Sequence, residues 1–215
     1  MKKAFTLLEL VFVIVVIGIL VAIIIPNTRR DTLREAAMQL VSHIRYTQHL
    51  AMIDDKFNVN DANWYKKRWQ IIFGSSTHTN GKIAYTIFSD NAASAGHSNP
   101  GLTEIARDPM SSDKYLSGGY SGTLQTNDTR ANKKMNLGES YDIVNVVFGG
   151  GCLGTNKRIS FDQMGRPIQG VLHNNNQSYI SNQLLLNTCT LTLVDGNANN
   201  LVIEIEPETG YTHIQ

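Results

Sequence analysis

The sequence predicts an α+β protein, with one long N-terminal α-helix packed on a C-terminal antiparallel β-sheet domain. Three observations predict it. A mostly apolar run extends from Phe5 to Ile25. Helical periodicity resumes beyond Pro26 and continues to about Asp54. After that, short β-branched and aromatic runs alternate with turns rich in Gly, Asn and Asp.

The chain has 215 residues and a formal net charge of +1, so nothing in the overall charge points to a polyanionic partner. Apolar residues are concentrated before Pro26, and the chain beyond it is polar and rich in Asn, Ser, Thr and Gly. That split reads as a membrane segment followed by a soluble domain.

Met1-Lys2-Lys3-Ala4 is a short basic leader, and the run after it would be about 31 Å long as a helix, the thickness of a bilayer core. A cleaved secretory signal would need a shorter apolar region and a small-x-small site, whereas this run ends in Ile-Ile-Ile-Pro-Asn. A plain anchor fits the length but leaves Glu9 unexplained. A carboxylate in a membrane helix costs on the order of 2.5–3.5 kcal/mol at the centre and less near the end. The run itself holds no basic residue that could offset it.

The segment Lys2-Lys3-Ala4-Phe5-Thr6-Leu7-Leu8-Glu9 resembles the processing site of type IV prepilins and of the pseudopilins of type II secretion. In that family a membrane-embedded aspartyl peptidase cuts on the cytoplasmic side and N-methylates the new amine. The resemblance implies cleavage between Ala4 and Phe5, N-methylation at Phe5, and Glu9 as the fifth residue of the mature chain. It also implies a role for Glu9 in attracting the N-terminal amine of a neighbouring subunit during assembly, and such a pairing is strong in a low dielectric. Ala4 departs from the family pattern, which has Gly before the cut. Pro26 falls where many pilins carry a helix-kinking proline, and it removes one backbone hydrogen bond. The flanking charges, Lys2 and Lys3 against Arg29, Arg30 and Arg34, leave orientation open. The resemblance places the leader in the cytoplasm and the C-terminal domain in the periplasm.

Residues 1–4 are thus read as leader, 5–25 as transmembrane and assembly helix, 26–57 as its amphipathic continuation and 58–215 as a periplasmic β-rich domain. In the continuation Leu33, Ala37, Leu40, Ile44 and Ala51 share a face, widened by Ala36, Val41 and Ile53. Strands are predicted at 68–73 and 82–88, joined across 74–81. Others are predicted at 143–148 (a buried strand), at 158–162 with a partner beyond the Met164-Gly165-Arg166 turn, at 190–194, at 201–205 and at 211–214. The stretch from Asp90 to Glu139 reads as a long irregular loop. The run Ile159–Pro167, with its Gly165-Arg166 turn, and the strand 201–205 with Thr209-Gly210 resemble the minor pseudopilin and minor pilin subgroup.

Cys152 and Cys189 lie in the soluble part. An even count outside the cytoplasm favours one disulfide, the alternative being two buried thiols. No catalytic order of residues, nucleotide loop or paired-carboxylate site stands out, so the chain is read as a non-enzyme without a cofactor. The six histidines show no ligand spacing that predicts a zinc site. Asp54, Asp55, Asn58, Asn60, Asp61 and Asn63 lack the Gly and closing Glu of a calcium loop and read as a helix-terminating polar loop. Lys66, Lys67 and Arg68 beside Trp64, Tyr65 and Trp69 form a basic–aromatic patch. It reads either as a nucleic-acid platform or as aromatics facing the core with solvated cations.

The expected function is a minor structural subunit of a type IV pilus or type II secretion pseudopilus. Its partners would be the prepilin peptidase, sister pilin or pseudopilin subunits and, before assembly, inner-membrane lipid. The alternative is a minor pilin that binds DNA or a surface.

Overall fold

The computed structural model describes residues 7–91, 100–152, 157–180 and 182–215, with the backbone alone for residues 23–31. It is an α+β fold with an N-terminal helix and antiparallel sheets. Helix α1 runs unbroken over Leu7–Ile53, 47 residues or about 70 Å, and its backbone is helical through Pro26. The predicted leader and the cleavage residues Ala4 and Phe5 lie outside the described residues.

Strands β1 (Trp69–Gly74), β2 (Ala84–Ser89), β6 (Arg158–Phe161) and β7 (Pro167–Gln169) form one four-stranded sheet in the order β2-β1-β6-β7. A second sheet has the order β10-β9-β8-β5, built from β5 (Ile143–Gly150), β8 (Cys189–Asp195), β9 (Asn200–Ile205) and β10 (Thr212–Ile214). The C-terminal half of α1 lies across both sheets, against β1 and β6 of the first and β8, β9 and β10 of the second. Leu33, Ala36, Ala37, Leu40, Val41, Ile44, Thr47 and Ala51 are buried there, a stripe of i, i+3, i+4, i+7 spacing. Phe73 of β1 meets Phe148 of β5 edge-to-face at 5.6 Å, so the two sheets share one core.

Three expectations are corrected. Ile53 does not widen the buried stripe but is exposed. Two residues from Ala51 is over half a helical turn, so Ile53 points away from the face that Ala51 buries. The position is taken instead by Thr47, whose hydroxyl donates to the His43 carbonyl at 2.8 Å and so needs no outside partner. Strand β5 is not buried on both faces: it is an edge, with Val144 59% and Val147 44% exposed. A register shift after Ile143 leaves Val144 and Asn145 both outward before Val146 turns in.

The stretch 90–139 is not simply irregular. It carries the ribbon β3 (Arg107–Asp108) and β4 (Ser111–Tyr115) and leads into α2 (Leu137–Tyr141). It also builds its own apolar cluster from Ile105, Tyr115, Leu124 and Ala131. The stretch also covers the otherwise free edge of β2, where Ile105 bridges Phe88 and Ser117 bridges Thr86, and Thr86 Oγ1 bonds both Ser117 Oγ and the Tyr120 carbonyl, each at 2.8 Å. Every residue of β2 is therefore buried. The scattered apolar residues of the stretch carry no period, because they seal an edge rather than form a stripe.

Candidate functional site

Helix α1 is the structural feature that a single domain does not account for. From Leu7 to Val21 its large apolar residues are exposed all round, Leu7 and Leu8 at about 80% and Phe12 at 68%. Glu9 is exposed in the first described turn of the helix. Among the described residues no helix is long and apolar enough to cross a membrane. The side chains described in this run end at Ala22, about 22 Å from Leu7.

The other half of α1 is tied down at four places. Near its middle, Gln39 Nε2 donates to the Tyr85 hydroxyl (2.8 Å) and the Lys134 carbonyl (2.9 Å), and its Oε1 accepts from Tyr141 at 2.9 Å. His43 Nδ1 meets the same Tyr85 hydroxyl at 2.6 Å. Burial holds His43 down at about 4, only partly offset by Asp108, so the ring is neutral at ordinary pH. Tyr141 is pushed up to about 12 by burial and by Glu35.

One turn on, Arg45 donates to the Thr212 carbonyl through Nε (3.0 Å) and Nη2 (2.6 Å), holding β10. Gln48 Nε2 then donates to the carbonyls of Gly165 (2.8 Å) and Thr209 (2.7 Å). One side chain thereby joins the β6–β7 turn of the first sheet to the β9–β10 turn of the second. Gly165 is at φ +79° and Gly210 at φ +64°, and a Cβ on either would press on Gln48. The Gly there serves close approach as well as the turn. At the helix end Trp69 Nε1 donates to Asp54 Oδ2 at 2.8 Å, and Lys56 pairs with the same carboxylate.

The predicted polar loop and basic–aromatic patch meet here. Asp54 and Asp61 are engaged by Lys56 and Lys67, and Asp55, Asn58 and Asp61 accept from the backbone two residues on. That is turn chemistry at a helix exit. Arg68 is only 3% exposed, with Trp64 and Tyr179 rings 5.0 and 4.5 Å from its guanidinium, and it donates to the Ser178 carbonyl at 2.7 Å. Tyr65 is buried, donating to the Asn175 carbonyl. The cation read as solvated is inside, and the aromatic faces are occupied by the protein itself.

Cys152 and Cys189 form a disulfide with a Cα–Cα distance of 4.9 Å. It joins the end of β5 to the start of β8, where Gly150 already faces Cys189. Closing a 37-residue separation restricts the unfolded chain by roughly 3–4 kcal/mol on a chain-entropy basis.

The tertiary fold also assembles a group invisible to histidine spacing. Ligand atoms of Glu204, Glu206 and His213 all lie within 4.8 Å of one another on the second sheet. No family model matches this chain, and neither a curated protein nor a solved structure does.

Proposed function

We infer that this protein is a structural subunit, of the minor class, in a type IV pilus or a type II secretion pseudopilus. It is held in the inner membrane by its N-terminal helix with the β-rich domain in the periplasm, and it is processed between Ala4 and Phe5 before assembly. The observation that carries this reading is α1 itself. One continuous helix buries its C-terminal half in a β-domain and leaves an apolar N-terminal half exposed on every side. Such a surface calls for lipid or for sister helices.

Three further features support it: the prepilin-like segment around Glu9, the disulfide, which suits an oxidising compartment, and the side-chain hydrogen bonds that fasten the second half of the helix to the domain. Two of the six residues of the patch that motivates the DNA-binding alternative, Arg68 and Tyr65, are buried, which favours the structural reading over it.

The test is Glu9→Ala in the native host. Mass spectrometry of the purified chain should show the N-terminus at a methylated Phe5 in wild type and variant alike. Sheared fibres should contain the wild type and lack the variant. Normal incorporation of Glu9→Ala, or an N-terminus that is never cut at Phe5, overturns the reading.

A further inference from the structure

We propose that Glu204, Glu206 and His213 form a binding site for a divalent transition-metal ion of the zinc class, which clamps the C-terminal strand onto the second sheet. The site is independent of the membrane and fibre assignment.

Its residues are placed by strand geometry rather than by a loop. His213 of β10 stands directly opposite Glu204 of β9 in the antiparallel register. Glu206 is two residues beyond Glu204 and so on the same face. Ile203, Ile205 and Thr212, which alternate with these three, are buried on the core face, leaving the ligand trio on the outer one. His213 Nε2 lies 3.3 Å from Glu204 Oε2. Two ligands at about 2.0–2.1 Å from a tetrahedral ion are about 3.3–3.4 Å apart, so this pair already has the separation that zinc requires. All three ligand atoms lie within 4.8 Å of one another, a spread that rotation of a partly exposed glutamate can close.

The surroundings suit an ion. Among the described residues no Lys or Arg pairs with Glu204 or Glu206, so two carboxylates face one histidine and the cluster is short of positive charge. Thr188 Oγ1 donates to Glu206 Oε2 at 2.9 Å, the kind of outer hydrogen bond that orients a metal-binding carboxylate. The His213 ring is stacked on Tyr211, centroids 5.2 Å apart and planes 21° apart, so its direction is set.

The donor set selects the metal class. One imidazole nitrogen and two carboxylates suit Zn²⁺ and its first-row neighbours. Ca²⁺ wants six to eight oxygens and Mg²⁺ an octahedral, largely hydrated shell. Three protein ligands leave a fourth position for water. Because Arg45 of α1 holds the Thr212 carbonyl of the same strand, an ion here would join helix, β10 and β9 in one unit.

The experiment uses the untagged full chain in detergent micelles, stripped with chelator and titrated calorimetrically with ZnCl₂, CaCl₂ and MgCl₂, with thermal melts alongside. One equivalent of Zn²⁺ should bind and raise the Tm, with no saturable Ca²⁺ or Mg²⁺ binding. Glu206→Gln retains the Thr188 contact and should weaken Zn²⁺ at least about tenfold, no less than losing an outer-sphere partner costs. His213→Gln should do the same. The proposal is overturned if Zn²⁺ gives no saturable binding, which would make Glu204–His213 an ion pair only. It is equally overturned if both variants bind Zn²⁺ like the wild type.

Discussion

The two halves of α1 share a backbone and differ in almost everything else. Leu7–Val21 presents apolar side chains around the whole circumference, while from Leu33 to Ala51 the apolar residues gather mainly in one buried stripe, with Met38 exposed outside it. In the second half Gln39, His43, Arg45 and Gln48 flank the stripe and bond the domain. In the first half Glu9 is the single charged residue between Leu7 and Ala22. The comparison teaches that a helix can be specified twice over its length. One half is packed against the chain's own domain, and the other stands uncovered among the described residues.

The sharpest way to break the comparison is to make the same truncation in both halves. Leu40→Ala removes a fully buried side chain and should cost about 3–5 kcal/mol of domain stability. Ile14→Ala, on the exposed half, should shift it by less than about 0.5 kcal/mol. Denaturant melts of the detergent-solubilised chain, followed by tryptophan fluorescence, measure both. Equal losses would show that the halves are not energetically separate.

A second contrast is in pH. His43 sits in the seated half with its folded value lowered to about 4 from 6.5, so the unfolded chain takes up a proton that the folded chain refuses. Its contribution is fully present above pH 6.5 and is lost as pH falls from there towards 4, up to about 3 kcal/mol. Substituting Asn for His43 should flatten the stability–pH curve in that window. A curve unchanged in slope would place the titration elsewhere.

A smaller loss than those of Leu40 and His43 is expected at the shared hook. Gln48→Ala leaves the Gly165 and Thr209 carbonyls without their donor and should cost about 1–2 kcal/mol. Hydrogen exchange should rise at the β6–β7 and β9–β10 turns together. Faster exchange at only one turn would mean that Gln48 does not join the sheets.

Much of this fold was legible before any coordinates. The apolar run, the stripe from Leu33 to Ala51 and the hairpins around 69–89, 158–169 and 189–214 each announce themselves by a period of 3.6 or 2 or by turn residues. The segment 90–139 was not legible, because Ile105, Tyr115, Leu124 and Ala131 are far apart in the chain and meet only when they cover β2. Arg68 reads as a surface cation in sequence, and only the arrival of Tyr179 and Ser178 makes its burial tolerable.

By itself the sequence determined where the helix is, which stripe of it faces a core, where the strands turn, and that its first half is apolar all round. These are local properties, set by spacing along the chain. Tertiary structure alone decided that Gln48 would bind two turns, that β5 would be an edge, and that His213 would stand opposite Glu204. Each of those depends on strand register and on the path of the helix over two sheets, and register is settled by the packing of distant residues rather than by any neighbour in sequence.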